Sequence, residues 1–318
     1  MSFCKCGDGQ QNLGVLSCPR LLGTVKKHIT VNAFDSEGNR NSILYSELSD
    51  GKLTDAYING KLNEADPSKR WYITPTKYEN VEPSRTDSTF EDFSSGARVK
   101  VDTGVKEFKG ILPQVDGVIA DKMNAGACSL EGKFEIDVNG SLKGEMSLDG
   151  LELFPILIAK GSFEAIEIDP VEGSATQRIE VSFQYDKSVK EGNLRIIPSD
   201  SIEVNLLQIN GIIDGVLTET GVATATEISF SFLIKDFGYF GEIIPIEGKV
   251  STSPEDWTVT DTGLNNIVPT TIVEADGIYT LTIPSTPSET LSVVFAGVPL
   301  SAVDQQFESN TIEIVTPV

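Results

Sequence analysis

Between Leu130 and Asp149 apolar and polar residues take turns along the chain. Leu130, Phe134, Ile136 and Val138 hold even positions, and Glu131, Lys133, Glu135 and Asp137 odd ones. After Asn139-Gly140-Ser141 the parity resumes, with Leu142, Met146 and Leu148 even and Lys143, Glu145, Ser147 and Asp149 odd. Two alternating runs joined by Asn-Gly predict a half-buried β-hairpin. A two-residue turn at Asn139-Gly140 would set Asp137 against Leu142 and mix the faces. A three-residue loop over 139–141 pairs Val138 with Leu142, Ile136 with Gly144 and Phe134 with Met146, keeping one face apolar. On the other face Asp137 then meets Lys143, Glu135 meets Glu145 and Glu131 meets Asp149. Like charges directly opposite are mildly destabilising. Either these side chains spread into solvent, or an acidic sheet face is wanted.

Period-two runs also predict strands at 28–34, 70–74 and 178–185, the last with Ile179, Val181, Phe183 and Tyr185 on one face. A second hairpin is expected from 97–101 into 105–112, made basic by Arg98, Lys100, Lys106 and Lys109. Val115, Val118, Ile119 and Met123 recur at helical spacing, which predicts one short amphipathic helix over 114–124. Residues 50–66 are polar and read as loop, and 154–159 as a helical turn or a strand. Beyond Pro198 short strands are expected at 202–209, 225–234, 243–250, 257–260, 278–283, 291–295 and 311–315. Seven turn-separated strands fit an immunoglobulin-like sandwich, with Trp257 in its core.

Composition supports an all-β chain: 318 residues with 28 Gly and 15 Pro leave little room for long helices. The formal net charge of −22 argues against phosphate neutralisation and against docking on anionic membranes. The charge is also uneven. Residues 1–197 carry 23 Lys and Arg against 30 Asp and Glu, whereas residues 198–318 carry two against 17. That shift divides the chain into an arm at 1–23, a first domain at 24–197 and a second at 198–318.

The search for reactive chemistry yields little. Cys4, Cys6 and Cys18, with Cys128, are too few for a disulfide scaffold, and their spacing is not that of a zinc site. A single histidine, His28, restricts general-base catalysis. The stretch 126–134 departs from a phosphate loop in spacing, and 137–148 lacks the glycine and the closing glutamate of a calcium loop. Neither a secretory signal nor an 18-residue apolar run is visible. No catalytic residue, metal or cofactor is expected, and the chain is not read as an enzyme.

Three passages resemble a known family. Phe90-Glu91-Asp92-Phe93-Ser94-Ser95-Gly96 followed by Val105-Lys106-Glu107-Phe108-Lys109-Gly110 is similar to a passage of tail tube proteins from tailed phages of Bacteroidota. Ile136 to Gly144 resembles that family's Asn-Gly hairpin, and Thr176 to Asp186 its closing strand. The resemblance spans roughly residues 70–197, in order; the arm at 1–23 is outside it. It implies a β-sandwich flanked by a helix and a long loop, assembled with itself as stacked hexameric rings. An immunoglobulin-like domain appended to the outside of the tail would correspond to 198–318. The implied partners are further copies, the tape-measure and tail-terminator proteins, and double-stranded DNA that passes without being bound. The implied location is the virion tail, assembled in the host bacterial cytoplasm. Under this reading Glu131, Lys133, Glu135, Asp137, Lys143, Glu145 and Asp149 line the lumen and repel phosphates. Arg98, Lys100, Lys106 and Lys109 form an inter-subunit hairpin. A surface adhesin or carbohydrate-binding protein, and the inner tube of a contractile injection system, remain open alternatives.

Overall fold

The computed structural model describes residues 22–94, 96–102, 104–115, 117–126, 129–169, 177–234, 244–245, 252–284, 289–295 and 306–317. Most of the N-terminal arm and all four cysteines lie outside the described residues. The chain divides into two compact units, Met1–Ile209 and Asn210–Val318.

In the first unit the strands are β1 (Val25–Asn32), β2 (Ile43–Leu44), β3 (Tyr72–Ile73), β4 (Ser84–Arg85), β5 (Thr89–Asp92), β6 (Arg98–Asp102) and β7 (Lys106–Pro113). They are followed by β8 (Glu131–Asp137), β9 (Leu142–Met146), β10 (Glu152–Phe154), β11 (Ile156–Leu157), β12 (Glu164–Ile168), β13 (Arg178–Gln184) and β14 (Leu194–Ile197). One sheet runs β2-β10-β9-β8-β1-β3, with β11 added on β8 and β14 on β9; a second runs β12-β13-β7-β4. β13 places Ile179, Val181 and Phe183 inward against β7's Phe108 and Leu112. Each such side chain contributes roughly 1.5–3 kcal/mol by leaving water.

The hairpin forms, one residue out of the expected step. Glu135 pairs with Lys143 and Ile136 with Leu142, so the three-residue loop is 138–140 rather than 139–141. The cause is local: Asp137 Oδ1 accepts from the amides of Asn139 at 2.9 Å and Ser141 at 2.8 Å, closing the turn one residue early. Gly140 takes φ +81° inside it. The parity survives, and so does the apolar face. β8 and β9 then part, and the kinked run β10–β11 enters the gap, β10 on β9 and β11 on β8. Two glycines permit this approach: a Cβ on Gly132 would sit 2.7 Å from the Pro155 ring, and one on Gly144 2.6 Å from the Phe154 carbonyl.

Two α-helices occur among the described residues, α1 (Asp55–Leu62) and α2 (Gly117–Ala125). α1 lies in the stretch expected to be loop. Thr54 caps it by accepting from the Tyr57 amide at 3.1 Å, and only Ile58 and Leu62 are buried, too few anchors to stand out. In α2, Ile119 and Met123 pack on the core while Val118 faces out.

β6 does not turn back onto β7, as the expected basic hairpin required. It pairs with β5, forming a separate two-stranded ribbon, and β7 pairs with β13 and β4. Segment 202–209, expected as a strand of the second domain, belongs to the first unit. Ile202 bridges Leu53 in parallel, and the buried Lys27 Nζ donates to the Ile209 carbonyl at 2.8 Å.

The second unit is a β-sandwich. One sheet contains β15 (Ile212–Glu219), β16 (Glu227–Ile234), β17 (Ile244–Pro245), β20 (Thr271–Ala275), β21 (Ile278–Thr282) and β23 (Gln306–Ser309). The other contains β18 (Trp257–Thr260), β19 (Asn266–Ile267), β22 (Thr290–Phe295) and β24 (Ile312–Val315). Trp257 is in the core, with ring centroids 5.0 Å from Phe230 and 4.7 Å from Phe295.

Candidate functional site

Alternation along β8 gives it two different faces, and both are buried. Phe134 and Ile136 point away from the second sheet, Phe134 lying 5.7 Å from the Trp71 ring. The charged face, expected to line a channel, turns toward the second sheet. Glu131, Lys133, Glu135 and Asp137 are all under 7% exposed, Glu135 at 1%. They do not form a solvent-facing wall in this chain. The physical reason is compensation from distant strands, because a buried charge persists only when paired and hydrogen-bonded.

Glu135 shows how this is done. Lys143 Nζ lies 2.8 Å and Lys106 Nζ 3.7 Å from its carboxylate, and the Tyr185 hydroxyl donates to it. Burial alone would raise the Glu135 pKa; Lys143 and Lys106 reverse that and hold it at about 2. Burial, then the Glu135 charge, drives the Tyr185 phenol well above its ordinary range. Burial also lowers Lys106, against the pull of Glu135.

Lys133 Nζ donates to Thr30 Oγ1 at 2.8 Å, lies 3.8 Å from Glu131 Oε2 and sits 4.4 Å over the Phe163 ring. Burial brings its pKa down to about 8, with Glu131 opposing. His28, across from Glu135 on β1, is enclosed by Phe108, Tyr78 and Phe183 at 4.5, 5.1 and 5.4 Å between ring centroids. Neither ring nitrogen has a hydrogen-bond partner among the described residues. Burial first, and Lys133 second, push its pKa down to about 3, so the imidazole is neutral at ordinary pH. The layer clamps two sheets together. The described residues also hold no group of three or more His, Cys, Asp or Glu placed for a metal ion.

The remaining expected lumen residues part company. Asp137 serves its own turn and accepts from Gly23 N at 2.9 Å. Glu145 pairs with Arg40 at 2.8 Å, and Arg40's guanidinium lies 3.9 Å over the Phe154 ring. Asp149 is exposed at the β9–β10 turn. The four basic residues are separated as well. Arg98 and Lys100 are exposed on the ribbon, Lys106 points inward to Glu135, and Lys109 points outward to Glu180 at 2.8 Å.

Two surface features were not anticipated. The ribbon β5–β6 exposes Phe90, Phe93, Val99 and Val101, each more than 40% accessible. A groove of about 330 Å³ is lined by Arg40, Met146, Leu148, Asp149, Phe154 and Asn193, with Leu148 almost fully exposed. The sequence signal for the first was the pair of phenylalanines in a polar stretch. The groove had none, since it joins residues from four separate segments.

No protein-family profile and no curated protein matches the chain. Among solved structures, the N-terminal part of the bacterial S-layer protein SbsC matches over 33% of this chain and 24% of that one. Identity is 16% and the TM-score 0.25, a likeness too slight to carry an argument.

Proposed function

We propose that this chain is a structural tail tube subunit of a tailed phage, assembling with itself into stacked hexameric rings that pass DNA. The observation that carries the reading is the ribbon β5–β6. A lone two-stranded ribbon is marginal in water, and this one leaves Phe90, Phe93, Val99 and Val101 exposed. It therefore calls for cover from another copy. The ribbon is also the passage 90–96 that resembles the tail tube family. With the charged face of β8 buried, the outward face of β7 and β13 is the better surface for a DNA-facing wall. It presents Glu107, Glu180, Ser182 and Gln184 together with Lys109 and Arg178, and the neighbouring β12 adds Glu164. Three carboxylates against two cations leave this face slightly acidic, so it does not attract phosphates. On this reading tape-measure and tail-terminator proteins are partners of the tube, the second unit decorates its outside, and no catalysis is involved.

Negative-stain microscopy of the purified full chain tests the reading. Rings with sixfold symmetry, or tubes of constant width, are expected as concentration rises. A monodisperse monomer by light scattering at high concentration, with no tubes after long incubation, would overturn it.

A further inference from the structure

The ribbon and the groove are complementary in chemistry, and both belong to the first unit. Cross-strand partners share a face, so Phe90 with Lys100 and Asp92 with Arg98 form one side of the ribbon. Arg98's guanidinium lies 4.5 Å over the Phe90 ring, giving an aromatic side chain flanked by two cations. Arg98's partner within the chain is weak: Asp92 is 3.5 Å away, and both side chains are more than 60% exposed. Such a surface pair contributes about 0–1 kcal/mol and exchanges readily.

The groove has the opposite character. Met146, Leu148 and Phe154 supply apolar walls, and Asp149 puts an exposed carboxylate beside them, Glu145 being paired with Arg40. Asp149 is held in its ionised form by the Ser147 hydroxyl and the Leu151 amide. At about 330 Å³ the groove is near the lower end of ligand pockets, which suits one or two side chains rather than a large cofactor. We infer that the face of the ribbon carrying Phe90, Arg98 and Lys100 seats in the groove at Arg40, Leu148, Asp149 and Phe154 of a second copy of this chain. The inference rests on the self-assembly proposed above and adds which surface receives the ribbon. Phe90 fills the apolar floor, Arg98 and Lys100 meet Asp149 while Glu145 stays with its own Arg40, and the exposed Leu148 closes over the ring.

Photo-crosslinking decides it. The full chain carrying p-benzoylphenylalanine in place of Phe90 is mixed as ¹⁴N- and ¹⁵N-labelled protein. Microscopy first checks for assembly, and the sample is then irradiated and digested for mass spectrometry. The expected product joins residue 90 to a peptide within 145–154, with one label on each side. Assemblies whose crosslinks map elsewhere, or only within one label, would overturn the docking while leaving the tube reading intact. Absence of any assembly would sink both. A second variant needs no unnatural residue. Leu148→Asp alters a side chain that is 96% exposed, so folding should be unchanged. The critical concentration for assembly should rise by about tenfold or more, as loss of a buried apolar anchor predicts. An unchanged critical concentration would also overturn the docking.

Discussion

Glu135→Gln probes the buried charged layer most directly. The substitution keeps shape and removes one negative charge facing Lys143 at 2.8 Å and Lys106 at 3.7 Å. The gap between a folded pKa of about 2 and the ordinary 4.5 corresponds to roughly 3 kcal/mol favouring the ionised form. Leaving two half-buried lysines without their counter-charge places the total loss at about 3–5 kcal/mol. For a unit of this size that lowers the melting temperature by roughly 6–20 °C. Calorimetry on the chain of both units reads this, with the second unit's transition as an internal control that should not move. Adding Lys143→Met should recover part of the loss, because one orphaned charge is removed. The pH dependence has a defined sign. The folded pKa is depressed, so Glu135's contribution is complete above pH 4.5 and disappears as pH falls toward 2. The penalty of Glu135→Gln should shrink over the same window. A neutral-pH loss below about 1 kcal/mol would refute the reasoning, since exposed ion pairs contribute no more than that.

His28→Phe should improve acid tolerance. The native pKa of about 3 lies below the ordinary 6.5, so the unfolded chain alone takes up this proton as pH falls through that interval. Wild-type stability should drop by about 2 kcal/mol between pH 7 and 5 from this group. Urea midpoints should show that loss abolished in His28→Phe, with the neutral-pH midpoint unchanged or higher; an identical pH slope in both proteins would count against a buried neutral imidazole. Truncation after Ile209 should leave a folded first unit, whereas truncation after Ile197 removes Ile202, Leu206 and Ile209, all buried, together with the carbonyl that accepts from Lys27. Proteolysis and circular dichroism compare the two fragments, and equal stability would place the division at Pro198 instead.

Alternation along the chain was enough to locate most long strands, including β8, β9, β13, β18, β21 and β22, and to assign Trp257 to a core. It carried the parity of the central hairpin too, because a period of two determines which residues share a face. The register step was not legible, since it turned on the Asp137 side chain taking two amides of its own turn. Strand partners were less legible still. The run 97–101 reads equally well paired forward or backward, and only the engagement of β7 with β13 and β4 leaves β6 to β5. The fate of the charged face depended wholly on tertiary structure. Alternation says that two faces of a strand differ, not that the polar one meets water. Burial of Glu135 becomes tolerable because Lys106 and Tyr185, tens of residues away, arrive on another sheet with the opposite charge and a donor. That compensation is set by how the sheets stack, and nothing within the hairpin's own sequence records it.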